Sequence, residues 1–374
     1  MRYKTFQDLQ LSALGMGCMR LPLKGGNSEI DEEQTARMAA YAMAHGINYF
    51  DTAWGYHGGN SESVMGKILS AYPRDAYHLA SKFPGYDLAN MPKVQEIFAR
   101  QLERCQSEYF DFYLFHNVCE LNIDAYLNEE YGILDHLLKQ KEAGRIRHLG
   151  FSAHGSIPVI ERFLNAYGEH MEFCQIQLNY LDWSLQDAKG KVELLNARHI
   201  PIWVMEPLRG GKLCALDEEA VSELQKLRPQ ESMSGWAFRF LQSIPGVTMI
   251  LSGMSDMQQL QENIETFADE QPLNEDEMKT LTGIGRRMST SVPCTACRYC
   301  IEHCPRSLDI PELIRLYNDM VYSDGSFSAR NAVNALPADK QPSACIGCGH
   351  CQALCPQQIH IPDIMRDLAR RISE

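Results

Sequence analysis

No run in this sequence approaches the ~20 consecutive apolar residues that a bilayer-spanning helix requires. The first eight residues, Met1 to Asp8, also lack the apolar core of a secretory signal. The expectation is therefore no membrane partner and a cytoplasmic location. Basic charge is in short supply as well: 35 Lys and Arg against 48 Asp and Glu leave a net charge of −13. A sequence-independent nucleic-acid binder needs the opposite balance, because it must neutralise phosphates, so no nucleic-acid partner is expected. The acidic excess instead favours solubility. Apolar content of 45% and charged content of 22% are those of an ordinary globular protein, and 374 residues suffice for one large domain and one small one.

Cysteine is sparse through most of the chain and then abundant. Cys18, Cys105, Cys119, Cys174 and Cys214 are scattered and read as buried thiols, whereas eight more fall between Cys294 and Cys355. Such clustering points to metal chemistry and away from disulfides. A complete dinucleotide fingerprint is also missing. Gly15-Met16-Gly17 begins like one, but no third glycine follows, no helix opens, and Leu21 to Gly26 reads as loop, which disfavours a doubly wound nucleotide-binding sheet.

What is present is alternation. Strand-like apolar runs occur at Ala13 to Cys18, Ile47 to Asp51, Tyr77 to Ala80, Phe110 to Phe115, Arg147 to Phe151, Phe173 to Leu178, Pro201 to Met205 and Val247 to Leu251. Helical spacing fills the stretches between them, as in Asp31 to His45, Glu62 to Leu69, Val94 to Cys105, Gly132 to Ala143, Ile157 to Ala166, Gln186 to Arg198 and Asp256 to Phe267. Eight β-α units in about 270 residues indicate a (β/α)8 TIM barrel, an α/β fold whose active site lies at the C-terminal ends of its strands.

Polar groups stand at three successive strand ends. Asn48 to Tyr56 carries an acid, Asp51, and a phenol, Tyr56; Lys82 follows the next strand, and His116 the one after. Singly these are a turn residue, a solvated lysine and a core histidine. Together, a buried Asp51 would hold the Lys82 ammonium, the ammonium would lower the Tyr56 pKa, and a neutral His116 would hydrogen-bond a substrate carbonyl. With Ser61-Glu62 and Gly66, this set resembles the catalytic tetrad region of the aldo-keto reductases over residues 3 to 285. The resemblance implies an NAD(P)H-dependent oxidoreductase interconverting a small carbonyl and an alcohol, with Tyr56 as general acid and base.

A tyrosine acid needs a hydride donor, so the resemblance also implies a nicotinamide cofactor, NADP or NAD. Ser152 and Gln175 fall where the family binds the carboxamide. Glu206 to Gly211, with Pro207, Leu208 and Gly210, resembles the loop over the pyrophosphate. Gly253, Ser255, Gln259, Glu262 and Asn263 resemble the segment holding the adenosine end. Three positions depart from the family: Ala153 replaces a carboxamide-binding asparagine, Met205 the aromatic stacked on nicotinamide, and Gln259 an arginine for the 2′-phosphate, which leaves NADP against NAD open. Trp54, His57 and Tyr86 are candidates for the substrate pocket and equally for surface or core positions.

After Gly283 the pattern changes. Cys294, Cys297, Cys300 and Cys304-Pro305 recur 51 residues later as Cys345, Cys348, Cys351 and Cys355-Pro356, and Leu308 to Glu312 is echoed by Ile359 to Asp363. Three closely spaced thiolates plus a fourth before proline fit an iron-sulfur cluster and match poorly the paired cysteines of structural zinc. The module resembles the bacterial two-cluster ferredoxins. That resemblance implies a small α+β domain over residues 286 to 374 holding two 4Fe-4S clusters, one on Cys294, Cys297, Cys300 and Cys355, the other on Cys345, Cys348, Cys351 and Cys304. The gap between copies, Asp309 to Ala344, is longer than in compact ferredoxins and suggests an inserted helix and a loop around Tyr322 to Phe327.

Hydride carries two electrons and a 4Fe-4S centre ordinarily one. Flavin is the usual splitter, and no flavin motif stands out. The expectation is a carbonyl reductase whose clusters exchange electrons with a redox partner protein or form a redox-sensitive clasp over the active-site rim. The alternative is an electron-transfer iron-sulfur protein whose barrel is a scaffold with little reductase activity.

Overall fold

Tyr3-Lys4-Thr5-Phe6 and Leu9-Gln10-Leu11-Ser12 alternate in polarity about the two residues Gln7 and Asp8, and they pair as an antiparallel hairpin of β1 (Tyr3–Phe6) and β2 (Leu9–Ser12). Gln7 takes the left-handed conformation at the turn, φ +52°. This hairpin was absent from the sequence reading. Its Phe6 packs against Phe112, Phe173 and Trp203 and so fills the N-terminal mouth of a barrel.

The computed structural model describes residues 1–25, 28–119, 121–288, 292–322, 330, 333–334 and 336–373. They form two compact units, Met1–Thr282 and Gly283–Glu374. In the first, eight parallel strands close on themselves: β3 (Leu14–Gly17), β4 (Tyr49–Asp51), β5 (His78–Phe83), β6 (Phe110–Val118), β7 (Ile146–Ala153), β8 (Cys174–Gln177), β9 (Ile202–Met205) and β10 (Val247–Ser252), with β10 pairing β3. Tyr49, Phe112, Leu114, Phe173, Trp203, Met249 and Leu251 fill the interior. Gly15 belongs to this packing and not to a fingerprint, since a Cβ there would lie 2.7 Å from Leu251 Cδ2 and 2.9 Å from Met249 Sδ.

Two strand ends differ from expectation. Lys82 and His116 were placed just after their strands, yet both lie inside them, in β5 and β6. Burial explains the difference. At the C-terminal end of the barrel these polar side chains point inward to partners, so the ladder continues through residues that a propensity reading assigns to loop. The helices between strands follow the expected periodicity, beginning with Glu32–Ala44, Ser61–Leu69 and Val94–Arg104. Glu218–Leu227 and Met233–Gln242, both in the connection from β9 to β10, were not anticipated. No helix among the described residues is long and apolar enough to cross a membrane.

In the second unit the 51-residue repeat is structural. Helix Ile310–Tyr322 and helix Ile361–Ser373 occupy equivalent positions, and Leu308, Ile310, Leu313, Ile314, Ile359, Ile361, Met365 and Leu368 share one core with Cys300 and Cys351. Of the expected insert, Tyr322 ends the first helix, and residues 323–329 lie outside the described residues.

Candidate active site and thiol clusters

Parallel pairing of β4 with β5 sets Asp51 opposite Ala80 and brings the Lys82 side chain across to it. Lys82 Nζ lies 2.5 Å from Asp51 Oδ1, donates to the Thr52 carbonyl at 2.9 Å, and stands 3.4 Å from the Tyr56 hydroxyl. Lys82 is fully buried and Asp51 is 3% exposed, so each charge depends on the other. Behind them Glu62 accepts from Ser81 Oγ and Gln101 Nε2, both at 2.7 Å, and Gln101 also donates to the Lys82 carbonyl at 3.0 Å. This network fixes the backbone from which the ammonium projects. Gly66 lets helix Ser61–Leu69 approach, because a Cβ there would meet the Arg104 carbonyl at 2.4 Å.

The His116 ring stands edge-on to Tyr56, with centroids 6.1 Å apart, and edge-on to Tyr86 at 5.3 Å. Burial, then the Lys82 charge, then His154 hold His116 well below the usual histidine range, so it is neutral at physiological pH. For Tyr56 the outcome corrects the expectation. Burial and then the nearby Asp51 carboxylate push the phenol well above its ordinary value, even with the Lys82 ammonium 3.4 Å from its hydroxyl. The proton is therefore held on oxygen.

A cavity of about 520 Å³ begins at Asp51 and Tyr56 and runs along the ends of β8, β9 and β10. Gln175, Pro207, Leu208, Gly210, Gly253, Ser255, Gln259, Glu262 and Asn263 all line it. Gln175 Oε1 and Glu206 Oε2 are buried there without a protein partner, as befits a site that meets a polar ligand. Ser152 does not line the cavity. Its Oγ accepts from the Asn117 amide at 2.8 Å, because β6 breaks register between Phe115 and Val118 and Asn117 turns left-handed, φ +62°. Of the pocket candidates, Tyr86 faces His116, whereas Trp54 lies under the Arg104 guanidinium at 3.9 Å and His57 Nε2 accepts from the Leu21 amide at 3.1 Å. The sequence reading missed Arg20, which lines the cavity, and His154, whose nearby ring helps hold His116 down. The stretch Ser152-Ala153-His154 at a strand end carried the signal for the second.

A model of the aldo/keto reductase family matches residues 13–286. The chain belongs to this family. It is 25% identical over 309 residues to an uncharacterized oxidoreductase of Bacillus subtilis, YqkF, an alignment covering 73% of this chain and 92% of that one. L-galactose dehydrogenase of Arabidopsis thaliana is 24% identical, with 72% and 88% covered. Among solved structures, aldo-keto reductase AKR11C1 of Bacillus halodurans superposes with a TM-score of 0.62 at 23% identity, over 76% of this chain and 96% of that one. The barrel is thus an aldo/keto reductase barrel, and the protein an oxidoreductase with a small second unit that its barrel relatives' match does not span.

That unit matches a model of the 4Fe-4S dicluster domain over residues 293–360. Its thiols fall into two groups. One recess is lined by Cys294, Cys297, Cys300 and Cys355, another by Cys304, Cys345, Cys348 and Cys351. Electrostatics reports the same grouping. Cys297 is pushed up to about 12 by burial and, among further causes, by the charges of Cys355 and Cys294; Cys351 is pushed up to about 11 by burial and, likewise, by Cys345, Cys348 and Cys304. Four thiolates gathered out of water repel one another unless a cationic group binds them, which is the donor chemistry of an iron-sulfur cube. Among the described residues no trio of His, Cys, Asp or Glu converges tightly enough for a single metal ion. Backbone amides also turn to the sulfurs, Ala296 N to Cys294 Sγ at 3.4 Å and Leu308 N to Cys304 Sγ at 3.5 Å.

Proposed function

We propose that this protein reduces a small carbonyl compound with a nicotinamide dinucleotide, Tyr56 delivering the proton, and that its second unit carries two 4Fe-4S clusters. The supporting observation is the meeting of Tyr56, Lys82 and Asp51 at the mouth of the cavity that Gln175, Pro207, Gly210, Gly253 and Asn263 line. When bound, the nicotinamide supplies the hydride. Tyr56 enters as an intact phenol, since its pKa is raised, and gives its proton to the carbonyl oxygen as negative charge develops there. As the proton leaves, Lys82 at 3.4 Å stabilises the phenolate, and Asp51 keeps the ammonium in place. Neutral His116 donates a hydrogen bond to the same carbonyl oxygen and orients it. In alcohol oxidation the same groups run in reverse. One relative is the NADH-specific methylglyoxal reductase of Escherichia coli, 26% identical over 226 residues, and its name is in keeping with a small carbonyl substrate.

Crossed ligation, with Cys355 completing the first set and Cys304 the second, follows the grouping of the thiols. The clusters serve as an electron port to or from a partner protein in the cytoplasm. Tyr56→Phe tests the barrel chemistry. Turnover of NAD(P)H with a small aldehyde should fall by ~10²–10⁴, the usual worth of a positioned general acid, with nucleotide binding retained. Unchanged turnover would remove the reductase assignment and leave the barrel as a scaffold.

A further inference from the structure

The residues lining the cleft carry little positive charge for a site that must accept phosphates. Among the described lining residues the carboxylates are Asp51, Glu206 and Glu262, and the one cation is Arg20. Arg20 ends the short turn Cys18–Arg20 after β3, and closure of the barrel between β10 and β3 brings it beside the glycine loop that follows β10. A Cβ on Gly253 would lie 3.0 to 3.2 Å from the Arg20 side chain, and Ser255 Oγ donates to the Arg20 carbonyl at 3.0 Å. The guanidinium reaches toward the opposite loop, where Nη2 stands 3.7 Å from Glu206 Oε1. Arg20 thus bridges the middle of the cleft, between the loops that follow β9 and β10. Arg209, in the loop that follows β9, is fully buried against Asp182 at 3.0 Å.

The far end of the cleft is different. Helix Met257–Thr266 begins there, and side chains of its first turn occupy two of the nearby amides: Gln259 N donates to Asp256 Oδ1 at 2.8 Å, and Ser255 N, just ahead of the helix, donates to Gln259 Oε1 at 2.9 Å. Gln258 Nε2 bonds Glu262 Oε1 at 2.8 Å. Gln259 therefore sits between two carboxylates, with its acceptor oxygen already occupied. A pyrophosphate needs one centre of positive charge in mid-cleft. A 2′-phosphate adds about −1.5 to −2 more charge at the ribose, and among the described lining residues this end offers it a carboxylate, Glu262, and no cation.

We propose that the cleft selects NAD(H) over NADP(H): Arg20 answers the pyrophosphate, and the Asp256, Gln259 and Glu262 turn excludes a 2′-phosphate. This rests on the reading of the cleft as a nicotinamide dinucleotide site.

Anaerobic equilibrium titrations of the full chain with NADH and NADPH, followed by nicotinamide fluorescence, test the assignment. NADH is expected to bind about tenfold or more tightly than NADPH. Gln259→Arg should tighten NADPH about tenfold and leave NADH within about twofold, whereas Arg20→Ala should weaken both nucleotides alike. Equal or tighter NADPH binding in the parent protein overturns the proposal, and so does a Gln259→Arg variant that gains nothing for NADPH. If neither nucleotide binds the folded parent, the reading of the cleft itself falls and the proposal with it, an outcome distinct from binding with the opposite preference.

Discussion

Replacing Lys82 with methionine should destabilise the barrel by an amount that depends on pH. Methionine fills much of the volume of the lysine stem, so packing changes little, but Asp51 loses its counter-charge at a site where it is 3% exposed. Breaking a buried ion pair from one side costs about 3–5 kcal/mol. The carboxyl can escape by taking a proton. Burial already raises its pKa above the ordinary value, and the Lys82 charge and hydrogen bond are what hold it down. In the variant both are gone. The folded state then binds more protons than the unfolded chain, where Asp51 titrates near ~3.9, so stability falls as pH rises from about 4. At ~1.4 kcal/mol per pH unit, a deficit of 3–5 kcal/mol accumulates over roughly 2–4 pH units.

Urea unfolding reads this out directly, because the four tryptophans, Trp54, Trp183, Trp203 and Trp236, all precede residue 283 and report on the barrel. At pH 5 the Lys82→Met deficit should be at most about 1.5 kcal/mol, because Asp51 of the parent is itself raised, and by pH 7.5 it should reach about 3–5 kcal/mol. The double variant Asp51→Asn with Lys82→Met carries no buried charge at this pair of positions. It should recover most of the stability at pH 7.5 and lose the pH dependence, yet regain no carbonyl reduction. A single-variant deficit that is constant across this range, or a double variant no more stable than the single, would refute the reasoning.

The grouping of the thiols predicts an ordered pattern of cluster loss. Cys297→Ser with Cys355→Ser should leave about half the iron and one reduced-cluster signal by electron paramagnetic resonance, whereas Cys297→Ser with Cys304→Ser should remove both clusters. The reverse result would mean uncrossed ligation. In the barrel, burial holds His154 down to about 4, so the folded state keeps it neutral while the unfolded chain protonates near ~6.5. Its contribution to stability is therefore lost as pH falls below about 6.5. His154→Gln should have a urea midpoint that declines less steeply than the parent's between pH 6.5 and 4.5, and identical slopes would exclude this assignment.

The parallel barrel was legible because strands buried on both faces read as continuous apolar runs. Phe110 to Phe115 is such a run, and it ends in His116, whose ring stands edge-on to Tyr56. The strand boundaries were not, since Ser81-Lys82 and His116-Asn117 look like loop until their partners are known. The hairpin β1 and β2 did have a signal, alternation about Gln7 and Asp8, but only eight residues of it. Arg20 had none. Its place beside Gly253 follows from the pairing of β10 with β3, a closure over more than two hundred residues that no local periodicity encodes. The direction of the Tyr56 shift likewise required knowing how deeply the phenol is buried and that the Asp51 carboxylate lies nearby.

The two copies of the cysteine unit carry a further lesson about what sets local conformation. Left-handed backbone occurs at Ala296, Arg298 and Ser307 in the first copy, and at Gly347, Gly349 and Gln358 in the second. Each position recurs 51 residues on. Glycine adopts this conformation freely, whereas alanine and arginine do so at about 1–2 kcal/mol each. If residue preference governed these loops, the first copy would differ from the second at residues 296 and 298. It does not, and what the copies share is the arrangement of four thiols around a recess. Surroundings that over-determine the backbone must therefore hold Ala296 and Arg298 in place. Ligation of a cluster is the natural source of that constraint, because binding free energy at such sites is also folding free energy.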